Sequence, residues 1–142
     1  MTELKKLLGD HGSIIVYNQS FEKGVLTELG EAFKEEIWAK GIHERIVDLY
    51  VPFRNFSYYN PLQKGSASIK YVLPALTGKS YEGLSIAKGD DASLTYLKMT
   101  TGALSGQEAI KARKDLEEYC GLDTQAMIWI VDELEKLSAV IE

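Results

Sequence analysis

The feature that most restricts the fold is a short apolar run, Ser13-Ile-Ile-Val-Tyr17, in a chain with almost nothing to pair with it. Short β-branched runs form strands, and one so continuously apolar is expected to be covered on both faces. A strand must also satisfy its backbone N–H and C=O groups on neighbouring strands. Only Arg45-Ile-Val-Asp-Leu-Tyr-Val51 offers a second strand, and its periodicity fits strand or helix equally. Either the two runs pair with each other, or part of the sheet comes from elsewhere.

Helical patterns dominate the rest. Leu4, Leu7 and Leu8 form one turn-spaced set closed by Gly9. Phe21, Val25, Leu26, Leu29, Ala32 and Phe33 form a stripe at 3.6 periodicity, with Asn18 as the expected cap. Glu35 to Ala39 reads as a short helix before Gly41. Phe53-Arg-Asn-Phe-Ser-Tyr-Tyr-Asn-Pro61 reads as an irregular loop after Pro52. A helix is expected from Gly65-Ser66 to Leu73, kinked or ended by Pro74. Tyr81 to Gly89 reads as loop, and Asp90 or Asp91 is expected to cap a helix reaching about Thr101. Ser105 and Glu108 form a capping box that opens the next helix, through Tyr119-Cys120. Gly121 is expected to end it, with a last helix from Thr124 to about Val140. The expectation is one domain spanning residues 1–142, a helix-rich α/β fold with one to three strands and about six or seven helices.

Composition narrows the function classes. The chain has 142 residues, 45% hydrophobic and 26% charged, which suits one globular domain. No apolar run approaches the ~18 residues of a membrane span, so no membrane partner is expected. The lone Cys120 and the lack of a signal-like start point to a reducing cytoplasm. With only His11 and His43, Cys/His zinc sites are excluded. A net charge of −5 argues against broad attachment to nucleic-acid backbones. It leaves room for an enzyme whose phosphate contacts run through metal ions.

Two segments carry candidate chemistry. In Val16-Tyr-Asn-Gln-Ser-Phe-Glu22 a carboxylate follows a strand by one helical turn. In Tyr119-Cys-Gly-Leu-Asp123 a tyrosine precedes an aspartate by four positions, a spacing that places both on one helix face. A phenol beside a metal-bound carboxylate can orient the attacking water of two-metal phosphodiester hydrolysis.

In this order the segments resemble the DEDD superfamily of 3′–5′ exonucleases, which has a ribonuclease H-like fold. The nearer resemblance is to a bacterial branch described only as a domain of unknown function. Tyr17-Asn-Gln-Ser-Phe-Glu22 resembles its second exonuclease motif, and Tyr119-Cys-Gly-Leu-Asp-Thr124 its third, in the tyrosine form. Arg45–Leu49, Gly65–Pro74 and Ser80–Leu84 resemble the stretches between them. The first motif, an Asp-x-Glu pair in an apolar strand, is missing; Asp115-Leu-Glu117 lies in a polar helical pattern. The resemblance therefore implies the C-terminal part of a ribonuclease H-like nuclease domain. Glu22 and Asp123 would be metal ligands, Tyr119 would orient water, and Mg²⁺ or Mn²⁺ would be the cofactor. DNA or RNA would be the substrate of the intact protein, with this chain alone inactive. The alternative is a non-catalytic module of that fold, binding nucleic acid or a protein.

Weaker nucleic-acid contacts are Asn18, Ser66, Lys70, Tyr58 and Tyr59: Ser66 and Lys70 at a helix start, the tyrosines as base-stacking rings. Plainer roles compete with each of these. Asp123 can cap a helix, Glu22 can answer a helix dipole, Tyr119 and the aromatic loop can fill a core, and Cys120 can be a buried thiol. Asp48 reads as a strand-end carboxylate, and Lys111, Arg113 and Lys114 as a solvated helix face. An unpaired edge at Ile14–Val16 would favour a homodimer.

Overall fold

The computed structural model describes residues 1–86 and 88–139. It is helix-rich α/β, with seven α-helices and one two-stranded parallel sheet among the described residues. The chain divides into two compact units, Met1–Ile69 and the part from Lys70 onward.

The first unit runs α1 (Thr2–Leu8), β1 (Ile14–Val16), α2 (Gln19–Phe33), α3 (Glu36–Arg45), β2 (Ile46–Asp48) and α4 (Tyr50–Arg54), then a 3₁₀ turn at Pro61–Gln63. The two candidate strands pair with each other, in the register Ile14↔Ile46, Ile15↔Val47 and Val16↔Asp48. Parallel pairing requires a crossover, and α2 and α3 supply it. The ambiguous run at 45–51 is both things in succession: three residues of strand, then the start of α4.

Full coverage of β1 is not what the structure shows. Val16 is buried, but Ile15 is 37% exposed and its partner Val47 45% exposed. Side chains alternate across a sheet, so these two neighbours share its open face. The α2 stripe is likewise only partly buried. Leu26 and Gly30 are buried, whereas Phe21, Val25 and Phe33 are exposed. Gly30 marks where α2 meets α3, since a Cβ there would lie 2.9 Å from the Ala39 Cβ. α3 extends to Arg45 and passes through Gly41, with Ala39 and Ile42 buried. Burial of that face outweighs the ~1 kcal/mol that a glycine costs a helix.

Arg45 then closes the α1–β1 turn. Its guanidinium donates to the carbonyls of Leu8, Gly9, His11 and Gly12 at 2.6–2.8 Å. The expected aromatic loop begins instead inside α4. Pro52 falls in the first turn, where a missing N–H costs nothing, and Phe53 is 1% exposed. Phe53 stacks on Tyr17 and meets Tyr58 edge-on.

The second unit contains α5 from its second residue (Ile69–Thr77), α6 (Gly89–Thr100) and α7 (Gly106–Ala139). α5 starts later than expected and continues past Pro74 to Thr77. α6 begins at Gly89, so Asp90 and Asp91 lie in its first turn and complement the dipole instead of capping. The Ser105–Glu108 capping box is present: the Ser105 N–H donates to Glu108 Oε2 (2.9 Å) and the Glu108 N–H to Ser105 Oγ (3.5 Å).

The expected break at Gly121 is absent. α7 is one helix of 34 residues, and Gly121 and Asp123 both lie within it, so Asp123 is not a cap. Ala126 and Ile130 are buried beyond the glycine, and their packing carries the helix through. The end expected near Val140 and the loop position Ala87 lie outside the described residues. On the outer face Lys111–Asp115, Arg113–Glu117 and Lys114–Glu118 form i,i+4 pairs. The Asp-x-Glu of this segment is thus a pair of helix-surface partners. Cys120 is exposed, contrary to the buried-thiol expectation, because it sits one residue off the face that buries Tyr119. No helix among the described residues is long and apolar enough to cross a membrane.

Two glycine substitutions should move stability in opposite directions. Gly121→Ala meets nothing within 4 Å and should stabilise by about 1 kcal/mol. Gly30→Ala forces a clash with Ala39 and should destabilise by about 1–3 kcal/mol. Urea denaturation of both variants measures the two signs.

Candidate functional site

In the first unit, polar groups gather where β1 and β2 end. Asp48 closes β2, and its carboxylate accepts three backbone N–H groups: Asn18 (2.8 Å) and Tyr50 (2.9 Å) on Oδ1, and Gln19 (3.0 Å) on Oδ2. The Leu49 N–H donates to the Val16 carbonyl alongside (2.9 Å). Asn18 occupies the N-cap position of α2, but its side chain makes no cap bond. Asp48 caps in its place from the neighbouring strand, and Asn18 Oδ1 accepts from Ser20 Oγ (2.8 Å).

Glu22 lies in the first turn of α2, half-buried. Its Oε2 is buried and bonds to no described residue. Burial pushes its carboxyl above the usual value, against a lowering by a backbone hydrogen bond, and the nearby charge of Asp48 adds a lesser push upward. Glu22 is therefore a carboxylate with unused acceptor capacity. Asp48 has already committed both oxygens to the backbone.

Asn18 and Ser66 come together, lining one cleft with Tyr17 and Tyr50. Tyr58 is half-buried in the aromatic cluster around Phe53. Tyr59 is 44% exposed; its hydroxyl accepts the Gly65 N–H (3.2 Å) and its ring tilts against Phe56.

In the second unit the structure brings Tyr119 and Asp123 onto one face of α7, the continuous helix giving them the i,i+4 relation. Tyr81, which the sequence places in a loop, reaches the same carboxylate: its hydroxyl donates to Asp123 Oδ1 (2.8 Å). Lys70, in the first turn of α5, places its ammonium 5.9 Å from the Tyr81 ring centroid and 6.0 Å from that of Tyr119. Both distances suit cation–π attraction. Tyr119 is 9% exposed. Burial first, then the charge of Asp123 and a hydrogen bond to it, push its phenol up to about 12. Tyr119 therefore stays protonated throughout the physiological range and acts as a donor, not a base. The sequence marks Tyr81 only as part of the Ser80–Leu84 stretch and gives it no role, because nothing in its spacing links it to a residue 42 positions away.

A family model described as "Domain of unknown function (DUF2779)" matches residues 1–68. That match falls on the first unit. Relatives extend the similarity over both units. The uncharacterized protein MG366 homolog of Mycoplasma pneumoniae is 31% identical over 85% of this chain and 20% of its own length. Uncharacterized protein MG366 of Mycoplasma genitalium is 34% identical over 84% of this chain and 20% of its own length. Uncharacterized protein UU173 of Ureaplasma parvum is 29% identical over 88% and 21%. The chain spans about a fifth of the length of these curated relatives. No solved structure matches it significantly.

The second cluster makes a spectroscopic prediction. A negative neighbour disfavours phenolate, so Asp123→Asn should lower the pKa of Tyr119 from about 12 toward the ordinary tyrosine value. Alkaline ultraviolet titration, with Tyr119→Phe identifying the late-ionising phenol, reads the shift. An unchanged titration in Asp123→Asn would show that the carboxylate does not act on this phenol.

Proposed function

We propose that this chain forms part of a metal-dependent nuclease, a 3′–5′ exonuclease-like phosphodiesterase of ribonuclease H-like ancestry acting on DNA or RNA. The observation that carries this reading is the convergence of Tyr119 and Asp123, the two defining residues of the tyrosine-form motif, with Tyr81 on the same carboxylate. Glu22 supports it through a buried oxygen that bonds to no described residue, one turn past β1.

The donors present do not complete a divalent-metal site: the described residues contain no group of three His, Cys, Asp or Glu able to hold an ion. What the chain's own groups can do is position a water. Tyr119, kept protonated, donates to Asp123 and leaves its oxygen lone pairs to accept a water's hydrogen. This orients the water without removing its proton. Tyr81 also holds the Asp123 carboxylate, through Oδ1, and Lys70 holds positive charge against both rings.

A second reading, a non-catalytic module binding nucleic acid or a protein, is favoured by Asp48, whose two oxygens both accept backbone N–H groups. In either reading the sheet supports association with a second copy through a strand edge at Ile14–Val16, since β1 pairs on one side only among the described residues.

The 142-residue chain, assayed with Mg²⁺ or Mn²⁺ on single-stranded DNA and RNA, should cleave neither. A longer protein containing it should cleave, and Asp123→Asn should abolish that cleavage while leaving the fold intact by circular dichroism. Full activity in Asp123→Asn removes this residue from the reaction. A longer protein that binds but never cleaves single-stranded nucleic acid establishes the second reading.

A further inference from the structure

The first unit holds a cleft of about 350 Å³ at the carboxyl ends of β1 and β2, lined by Tyr17, Asn18, Tyr50 and residues 66–69. Its size sits at the small end of the ~300–1,000 Å³ range of ligand clefts. It opens at the carboxyl ends of the two parallel strands, the end of the sheet at which α/β folds bind ligands.

The chemistry of the lining restricts the occupant. No lining residue carries a formal charge. The walls offer two phenol rings, the Asn18 amide, and the hydroxyls of Ser66 and Ser68. The Tyr17 hydroxyl donates to the Ala67 carbonyl (2.5 Å), tying the end of β1 to the 66–69 segment and fixing the cleft's width. Asn18 is held with φ 72° and ψ 69°, a left-handed conformation secured by its N–H on Asp48. The Ser20 hydroxyl bond to Oδ1 fixes its amide. Tyr50 is steadied by its edge-on contact with Tyr17 and by the Arg54 guanidinium 5.7 Å over its ring. Asp48 lies behind the Asn18 and Tyr50 backbone and Arg54 over the Tyr50 ring, so the charges flanking the cleft are of opposite sign and its own lining is neutral.

We propose that this cleft binds a nucleoside, its uncharged base and ribose seated against Tyr50 and the Asn18 amide, with no part of the site made for phosphate. The preference for a nucleoside among neutral ring-bearing ligands rests on the nucleic-acid reading proposed for the chain. The ring platform stacks any base, and the amide and hydroxyls meet polar edges.

Titration of the chain with adenosine and with uridine, followed by amide NMR shifts in the absence of divalent metal, tests this directly. Saturable shifts confined to Tyr17–Gln19, Tyr50 and residues 66–69 are expected, with a dissociation constant on the order of 1 mM. Asn18→Gly keeps the left-handed backbone and should weaken binding about fivefold through loss of the amide. Tyr50→Ala should weaken it about tenfold or more; should that variant unfold, Asn18→Gly decides alone. Equal shifts from inorganic phosphate or from ribose alone overturn the proposal, as does the absence of saturable shifts at millimolar nucleoside. Because the readout is metal-free binding, a failure of cleavage in the longer protein leaves this result standing, and a failure here leaves the cleavage assay unaffected.

Discussion

The first unit depends on one carboxylate. Two three-residue strands cannot hold each other by ladder bonds alone, since an isolated two-stranded sheet is marginal in water. Asp48 ties their ends together by accepting N–H groups from the segment after β1 and from the start of α4. Hydrogen bonds to a charged acceptor contribute about 1.5–3 kcal/mol each, more than the neutral backbone bonds beside them. Removing the carboxylate would strand donors at two helix starts at once. The same bonds hold Asn18 in its left-handed conformation, so the shape of the strand-end cleft follows from them.

Arg45 does the complementary work at the other end of the sheet. It gathers four carbonyls of the α1–β1 turn, as Asp48 gathers three N–H groups. The strand pair is thus clamped by a cation among acceptors at its start and an anion among donors at its finish. Between the clamps, α2 and α3 meet so closely at Gly30 that no larger residue fits there.

The second unit's organising element is the uninterrupted α7. Continuity through Gly121 keeps Tyr119 and Asp123 one turn apart on a common face, where Tyr81 and Lys70 converge. A break there would have separated the tyrosine and the aspartate into different helices. The mid-helix glycine is tolerated because Ala126 and Ile130 are buried beyond it, so the helix gains more from packing than it loses in propensity.

The features legible from residue order are local ones. The β-branched run at 14–16, the Ser105–Glu108 capping box, the Gly9 stop and the charged outer face of α7 all follow from short-range patterns, and the structure contains each of them. The i,i+4 relation of Tyr119 and Asp123 was legible for the same reason. Everything that depends on distant segments meeting was settled by the fold. Asp48 became the cap of α2 from 29 and 30 positions away, and Tyr81 became a partner of Asp123 across 42. Gly41 and Gly121 did not end helices, because burial on either side outweighed their propensity. Part of the α2 stripe remained exposed, because periodicity names an apolar face but not the partner that covers it. Spacing encodes which residues share a helix or strand; only the folded chain brings a distant carboxylate or phenol within hydrogen-bond reach, and that encounter built both candidate sites.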